Sequence, residues 1–294
     1  TKMGICKFNY RSQACGLWLD VIVTIPTSQF SYYDMNKELR GNDRITPGSP
    51  VPKMYKPGMK FQTIYMIHGG GDDDTLPYRY MSIERYADAN NVMLVTPNIP
   101  NSFGVNTNYG VDYQTFLSEE LPIVIQSLFP SAPGRENNFI AGFAMGGNVA
   151  LGTALMHPEL YAAAVDVSGG IGLTVNTEQF AKELSGNFTG RFPLVGATFG
   201  SGEDLPGSKH DMRKFALENI EKGVELPKFY LVCGSEEGNI GKRVEADAVT
   251  LKEMGYDVDF TCYEGYNHFY PLWDMYFEKM MNEILPLKRE AIFP

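Results

Sequence analysis

Apolar and polar positions along this chain switch repeatedly between a strand-like and a helix-like period. Phe61 to Ile67 is a mostly apolar run that ends at His68-Gly69-Gly70-Gly71. Arg79 to Asn90 has a helical pattern, and Val92 to Thr96 is a short strand closed by Pro97. From Tyr113 to Phe129, apolar residues fall at Phe116, Leu117, Leu121, Val124, Ile125 and Leu128. That spacing predicts a helix, kinked at Pro122 because proline has no N–H to give the preceding turn. Strand Asn138 to Ala141 and helix Met145 to Met156 follow, the helix stopped by His157-Pro158. Tyr161 to Val167, Lys228 to Cys233 and Val258 to Tyr263 are further strands. A helix around Arg243 to Met254 separates the last two and ends at Gly255, and Leu272 to Leu285 forms a final helix.

Strands alternating with helices predict an α/β fold: a mostly parallel central sheet with helices on both faces. Lys7 to Pro26 reads as an antiparallel hairpin at its N-terminal edge. The expectation is one domain over residues 1–294, with covering insertions at about 27–60 and 174–227. Within the second insertion, helices are predicted at Thr177 to Leu184 and His210 to Lys222.

Candidate chemistry lies at the predicted carboxyl ends of the strands, where open α/β sheets bind ligands. Gly142-Phe143-Ala144-Met145-Gly146-Gly147 has the spacing of a nucleophile elbow, G-x-S-x-G, with alanine in place of serine. The glycine run ending at Gly71 supplies backbone N–H groups for a developing oxyanion. Gly70 is the candidate donor there, and Met145, which follows the nucleophile position, is the second. Cys233-Gly234-Ser235-Glu236-Glu237 offers an acid and Glu264-Gly265-Tyr266-Asn267-His268 a base. Nucleophile position, acid, histidine is the order in which α/β hydrolases carry their triad. His268 is placed to act as general base and acid. His68 is expected to shape its loop, His157 to end a helix and His210 to sit at a loop or helix start. The run Asp72-Asp73-Asp74 is expected to be solvated.

Together these segments resemble the esterase D-like branch of the α/β hydrolases, within it most closely carbohydrate esterase family 1, which holds feruloyl and acetyl xylan esterases. Tyr109-Gly110-Val111-Asp112-Tyr113, Glu119-Glu120-Leu121-Pro122 and Trp273 after His268 add to the resemblance, which runs from about Leu17 to Leu285. It implies an α/β-hydrolase fold and a serine esterase needing no cofactor or metal. It places the triad acid at Glu237, usually an aspartate, with Glu236 the runner-up. Ala144 departs from it: as written, the chain is expected to be inactive by the family mechanism. Because base, acid and oxyanion glycines all remain, an engineered Ser→Ala exchange is favoured over a native non-catalytic binder. Tyr109, Phe143, Tyr266 and Trp273 are expected to wall a planar acyl group, which suits a hydroxycinnamoyl ester better than an acetyl ester.

Composition narrows the partners. The chain of 294 residues is 44% hydrophobic and carries a formal net charge of −10, which argues against a nucleic-acid partner. The resemblance implies instead a small-molecule or oligosaccharide ester such as a feruloylated arabinoxylan fragment. No apolar run is long enough to span a bilayer, and no export signal stands in the sequence given, so secreted and cytoplasmic locations both fit. Cys6, Cys15, Cys233 and Cys262 make no metal-like cluster. Cys233 and Cys262 end two predicted strands that neighbouring positions in the sheet would bring together, and the cysteines are expected to be buried, reduced thiols.

Overall fold

The structure is a computed structural model that describes residues 4–26, 57–170, 172–173, 195–200 and 205–293. Its strands are β1 (Gly4–Arg11), β2 (Trp18–Ile25), β3 (Thr63–Ile67), β4 (Met93–Pro97), β5 (Asn138–Phe143), β6 (Ala163–Val167), β7 (Lys228–Gly234) and β8 (Val258–Tyr263). Its helices are α1 (Leu76–Tyr80), α2 (Ile83–Ala89), α3 (Leu121–Leu128), α4 (Met145–Met156), α5 (Val195–Phe199), α6 (Met212–Lys222), α7 (Asn239–Met254) and α8 (Tyr270–Lys279). The eight strands form one sheet in the order β1-β2-β4-β3-β5-β6-β7-β8. β2 runs antiparallel to both of its neighbours, and the pairings from β4 to β8 are all parallel. This is the α/β-hydrolase arrangement with an antiparallel N-terminal edge.

Central strands covered on both faces must be apolar throughout. Accordingly β3, β4, β5 and β6 are buried at every position. Their alternate side chains feed two cores. Tyr65, Ile67 and Ile140 face one side with α3, α4, α6 and α7; Ile64, Met66, Phe139, Ala141 and Phe143 face the other with α2 and α8. Helix α4 runs through the first core and is buried from Met145 to Leu155.

Two predicted helices differ in detail. The pattern over Arg79 to Asn90 resolves into α1 and α2, because the chain extends at Met81 (φ −129°, ψ 161°). Pro122 sits in the first turn of α3 rather than inside one long helix. The turn before it, Phe116–Glu120, is π-helical, and Leu121 N–H reaches back to the Phe116 carbonyl. Proline cannot donate the next rung of the ladder, and the wider turn absorbs the loss. The Glu119-Glu120 pair gains a structural reason here: Glu120 Oε2 accepts from Ser12 Oγ (3.0 Å) and Ala14 N–H (2.8 Å), clasping the β1–β2 turn.

The predicted helix Thr177 to Leu184 and most of the two covering insertions lie outside the described residues. Helix α6 begins at the Asp211 cap, whose side chain accepts from Lys214 N–H, and ends at Gly223 in the left-handed region (φ 61°). Cys233 and Cys262 are register partners on β7 and β8, and both are free thiols; Cys233 is buried as expected, whereas Cys262, on the edge strand, is exposed.

Candidate active site

The site grows out of the junction between β5 and α4. Ala144 occupies the turn at φ 50°, ψ −124°, a conformation that L-residues avoid because the β-carbon crowds the backbone. It is held there by its N–H to the Val167 carbonyl (2.9 Å) and by its own carbonyl, which accepts from Gly147 N–H (3.0 Å) and Asn148 N–H (3.3 Å). Three glycines make the turn fit. A β-carbon on Gly142 would collide with the Gly146 backbone, one on Gly146 with the Ile67 and His68 carbonyls, and one on Gly147 with the Asp166 carboxylate. The elbow is thus wedged between the ends of β3 and β6, and the Ala144 side chain stays partly exposed at its tip.

The end of β3 carries the second element. His68 is fully buried; its Nδ1 pairs with the Gly69 carbonyl (2.8 Å) and its Nε2 accepts from Ile99 N–H (3.1 Å). An N–H donor at Nε2 fixes the neutral tautomer with its proton on Nδ1, and burial holds the pKa down. His68 therefore shapes the glycine loop. Gly71 (φ 83°) donates its N–H to Asn101 Oδ1 (2.6 Å), pinning the loop beside Gly70. Met145 is the first residue of α4, so its N–H has no acceptor within the helix.

The aspartate run is only partly solvated: Asp72 and Asp73 are partly exposed, and Asp74 is buried. Asp72 accepts from the Tyr270 hydroxyl (3.1 Å), and Asp73 accepts from Thr75 N–H (2.8 Å). Asp74, 1% exposed, pairs with Lys7 of β1 (3.1 Å). Burial is the largest influence on the Asp74 carboxyl and raises its pKa, with Lys7 opposing.

Across the elbow stand the candidate acid and base. Glu237 is buried, whereas Glu236 is exposed. Glu237 Oε1 lies 3.8 Å from His268 Nδ1 and accepts a hydrogen bond from Ser168 Oγ (2.6 Å). The His268 side chain is 33% exposed, and its ring meets Trp273 edge-on, with centroids 5.2 Å apart. Gly234 lets the acid loop pass: a β-carbon there would strike the Tyr266 carbonyl. Beneath the elbow, Asp166 Oδ1 accepts from Gly169 N–H (2.7 Å). Burial pushes the Asp166 carboxyl up to about 7; the Gly169 bond opposes this and the Glu237 charge adds to it.

The structure thus brings Ala144, Met145 and the β3 loop to one junction, and Glu237 to His268. It separates two of the residues expected in an acyl wall. Phe143 is fully buried on the sheet face opposite the elbow core, stacked on Trp273 (4.7 Å). Trp273, 5% exposed, donates its Nε1–H to Ser168 Oγ (3.1 Å). Neither ring has surface left for a substrate. Tyr109 is 42% exposed and Tyr266 partly exposed. The sequence reading missed Ser168 and Asp166. Their only signal was the Asp166-Val167-Ser168-Gly169-Gly170 stretch closing a strand beside the elbow.

His157 ends α4 as expected, with Nδ1 3.4 Å from Glu159. His210 sits just before α6, its ring edge-on to Phe199 (5.3 Å). Burial first, then Lys209, lower its pKa to about 4. Among the described residues, no group of three or more His, Cys, Asp and Glu is placed to share a metal ion, and no helix is long and apolar enough to cross a membrane.

A family profile described as "Putative esterase" matches residues 42–287, which takes in the elbow, the β3 loop, Glu237 and His268. The chain belongs to this esterase family. Among curated relatives, an acetyl esterase from Caldicellulosiruptor saccharolyticus is 27% identical over 84% of this chain and 94% of its own length. Among solved structures, the fluorophosphonate-binding serine hydrolase FphF of Staphylococcus aureus is 22% identical, covers 97% of this chain and 99% of its own, and superposes with a TM-score of 0.77. A family 1 ferulic acid esterase of Anaeromyces mucronatus is 14% identical, covers 97% and 90% of the two chains, and has a TM-score of 0.60.

Proposed function

We propose that this is the scaffold of a serine carboxylic-ester hydrolase with alanine at the nucleophile position. A serine hydroxyl at position 144 attacks the ester carbonyl as His268 takes its proton. Met145 and Gly70 N–H groups hold the oxyanion, and Glu237 stabilises the imidazolium. His268 then returns the proton to the leaving alcohol, and water activated by the same imidazole releases the acid. One observation carries the reading: the alanine keeps the strained backbone of a nucleophile (φ 50°, ψ −124°) and the buried Glu237 stands by His268. In the chain as given the hydroxyl is missing, so this route is closed and a bound ester stays intact.

Carbohydrate esters of plant cell walls are the proposed substrate class. A feruloyl group would rest on Tyr109 and Tyr266. An acetyl group gains weight as a second reading, because Phe143 and Trp273 are withdrawn into the core and the curated relative is an acetyl esterase. A native, non-catalytic ester binder is the remaining alternative.

Ala144→Ser decides. It should raise hydrolysis of p-nitrophenyl acetate or methyl ferulate by about 10⁴-fold or more over the parent chain, the scale on which removal of a triad member acts. The ratio of the two rates ranks the acyl groups. No gain on either ester, or on other short-chain esters, would leave the binder as the better reading.

A further inference from the structure

Ser168 is the outlier among the residues around the acid. It lies at φ 62°, in the left-handed region that favours glycine, and it is fully buried. The two residues after it are glycines, and Gly170 adopts a similar φ of 67°. A glycine at 168 would relieve the strain without cost to the turn. What serine adds is a hydroxyl, and both sides of that hydroxyl are used. An indole N–H can only donate, so Trp273 Nε1, 3.1 Å away, must take a lone pair of Ser168 Oγ. The hydroxyl hydrogen is then free to go only to Glu237 Oε1, at 2.6 Å. That same carboxylate oxygen is the one 3.8 Å from His268 Nδ1. Trp273 also packs edge-on against the His268 ring. The four residues close a ring: Trp273 to Ser168 to Glu237 to His268 and back to Trp273. They come from the loops after β6, β7 and β8 and from helix α8, so nothing local in the chain fixes the acid to the base.

We infer that Ser168, oriented by Trp273, is a positioning residue that holds Glu237 Oε1 toward the Nδ1 side of His268. Its effect on rate rests on the esterase reading above; its effect on the imidazole does not. A carboxylate held at Nδ1 keeps the imidazole proton on that nitrogen, which leaves Nε2 open toward position 144 as the base.

The test uses Ser168→Gly, which removes the hydroxyl and suits the backbone. In the chain as given, nitrogen-15 NMR reads the tautomer of neutral His268. The parent should hold its proton on Nδ1, and Ser168→Gly should move the population toward Nε2–H while the melting temperature stays within a few degrees. Trp273→Phe, which keeps a ring but loses the donor, should move it the same way by less. In the Ala144→Ser background, Ser168→Gly should lower kcat by about tenfold to a hundredfold with KM within about twofold, the scale of a misplaced catalytic group. A tautomer shift with no esterase activity in Ala144→Ser would uphold the positioning role and sink the esterase reading. An unchanged tautomer in both variants, whatever the activity, would overturn the role of Ser168.

Discussion

The two halves of the site are built from different materials. On the nucleophile side the geometry is backbone: Gly142, Gly146 and Gly147 pack where no β-carbon fits, and Ala144 is gripped through its own N–H and carbonyl. On the acid–base side it is side chains: a hydroxyl, an indole, a carboxylate and an imidazole that brace one another across three loops. The difference explains how the chain can lack a nucleophile and still present a complete mould. Losing one oxygen atom from a side chain leaves a backbone-made turn untouched. An equal loss on the other side, at Ser168 or Glu237, would remove a member of the brace.

That contrast can be broken most forcibly at Gly146. A β-carbon there overlaps two strand-end carbonyls that cannot move aside. Gly146→Ala should therefore cost about 4 kcal/mol or more, in the exceptional range for a single methyl, and should appear as a large drop in denaturation midpoint or loss of soluble protein. A melting temperature within a few degrees of the parent would show that the elbow is softer than its packing implies.

The side-chain half should yield to chemistry without unfolding. In the Ala144→Ser background, Glu237→Gln should reduce kcat by about 10³- to 10⁴-fold, as expected when a triad acid can no longer hold the imidazolium, and the exposed Glu236→Gln should stay within about twofold. Equal, small losses would move the acid elsewhere.

The smallest expected effect joins the halves at Asp166, which touches the elbow at Gly147 and is coupled to the charge of Glu237. Its carboxyl is raised to about 7 in the fold from the ordinary 3.8. Between those values the native state keeps a proton that the unfolded chain releases, so native stability falls as pH rises through this window. Above about 7 the full penalty is in place, a few kcal/mol at most. Asp166→Asn keeps the Oδ1 acceptor for Gly169 and removes the titration. Its melting temperature should match the parent near pH 4 and exceed it by several degrees at pH 8; an equal difference at both pH values would contradict the coupling.

Much of this was legible beforehand, and for a physical reason. Fully apolar strands, a glycine-spaced turn and a C-cap glycine each follow from one local constraint, so the sheet, helix α4 and the end of α7 could be read from the residues alone. Choices that depend on direction were harder. Glu236 and Glu237 are neighbours in sequence, and only the path of the β7–α7 loop buries one and exposes the other. Ending a strand points Phe143 toward a substrate wall. The period of two was the better guide, since Phe139, Ala141 and Phe143 share one face. Nearness in sequence to His268 suggests the same for Trp273, but the indole faces inward. Ser168 has only the glycine pair after it to mark it, because its partners come from another strand end and from helix α8.

The ion pair between Lys7 and Asp74 ties the outermost strand to the loop that carries Gly70, one of the two proposed oxyanion donors. The first strand looks expendable, since it sits at the margin of the sheet with most of its side chains in solvent. Yet it supplies the cation facing a buried carboxylate that lies four residues from Gly70. Trimming or rerouting the amino-terminal strand would strand that charge inside the protein, and the repair would be made by the glycine loop. A mechanical load or protease cut at the rim of this molecule would therefore be felt at the glycine loop beside the elbow.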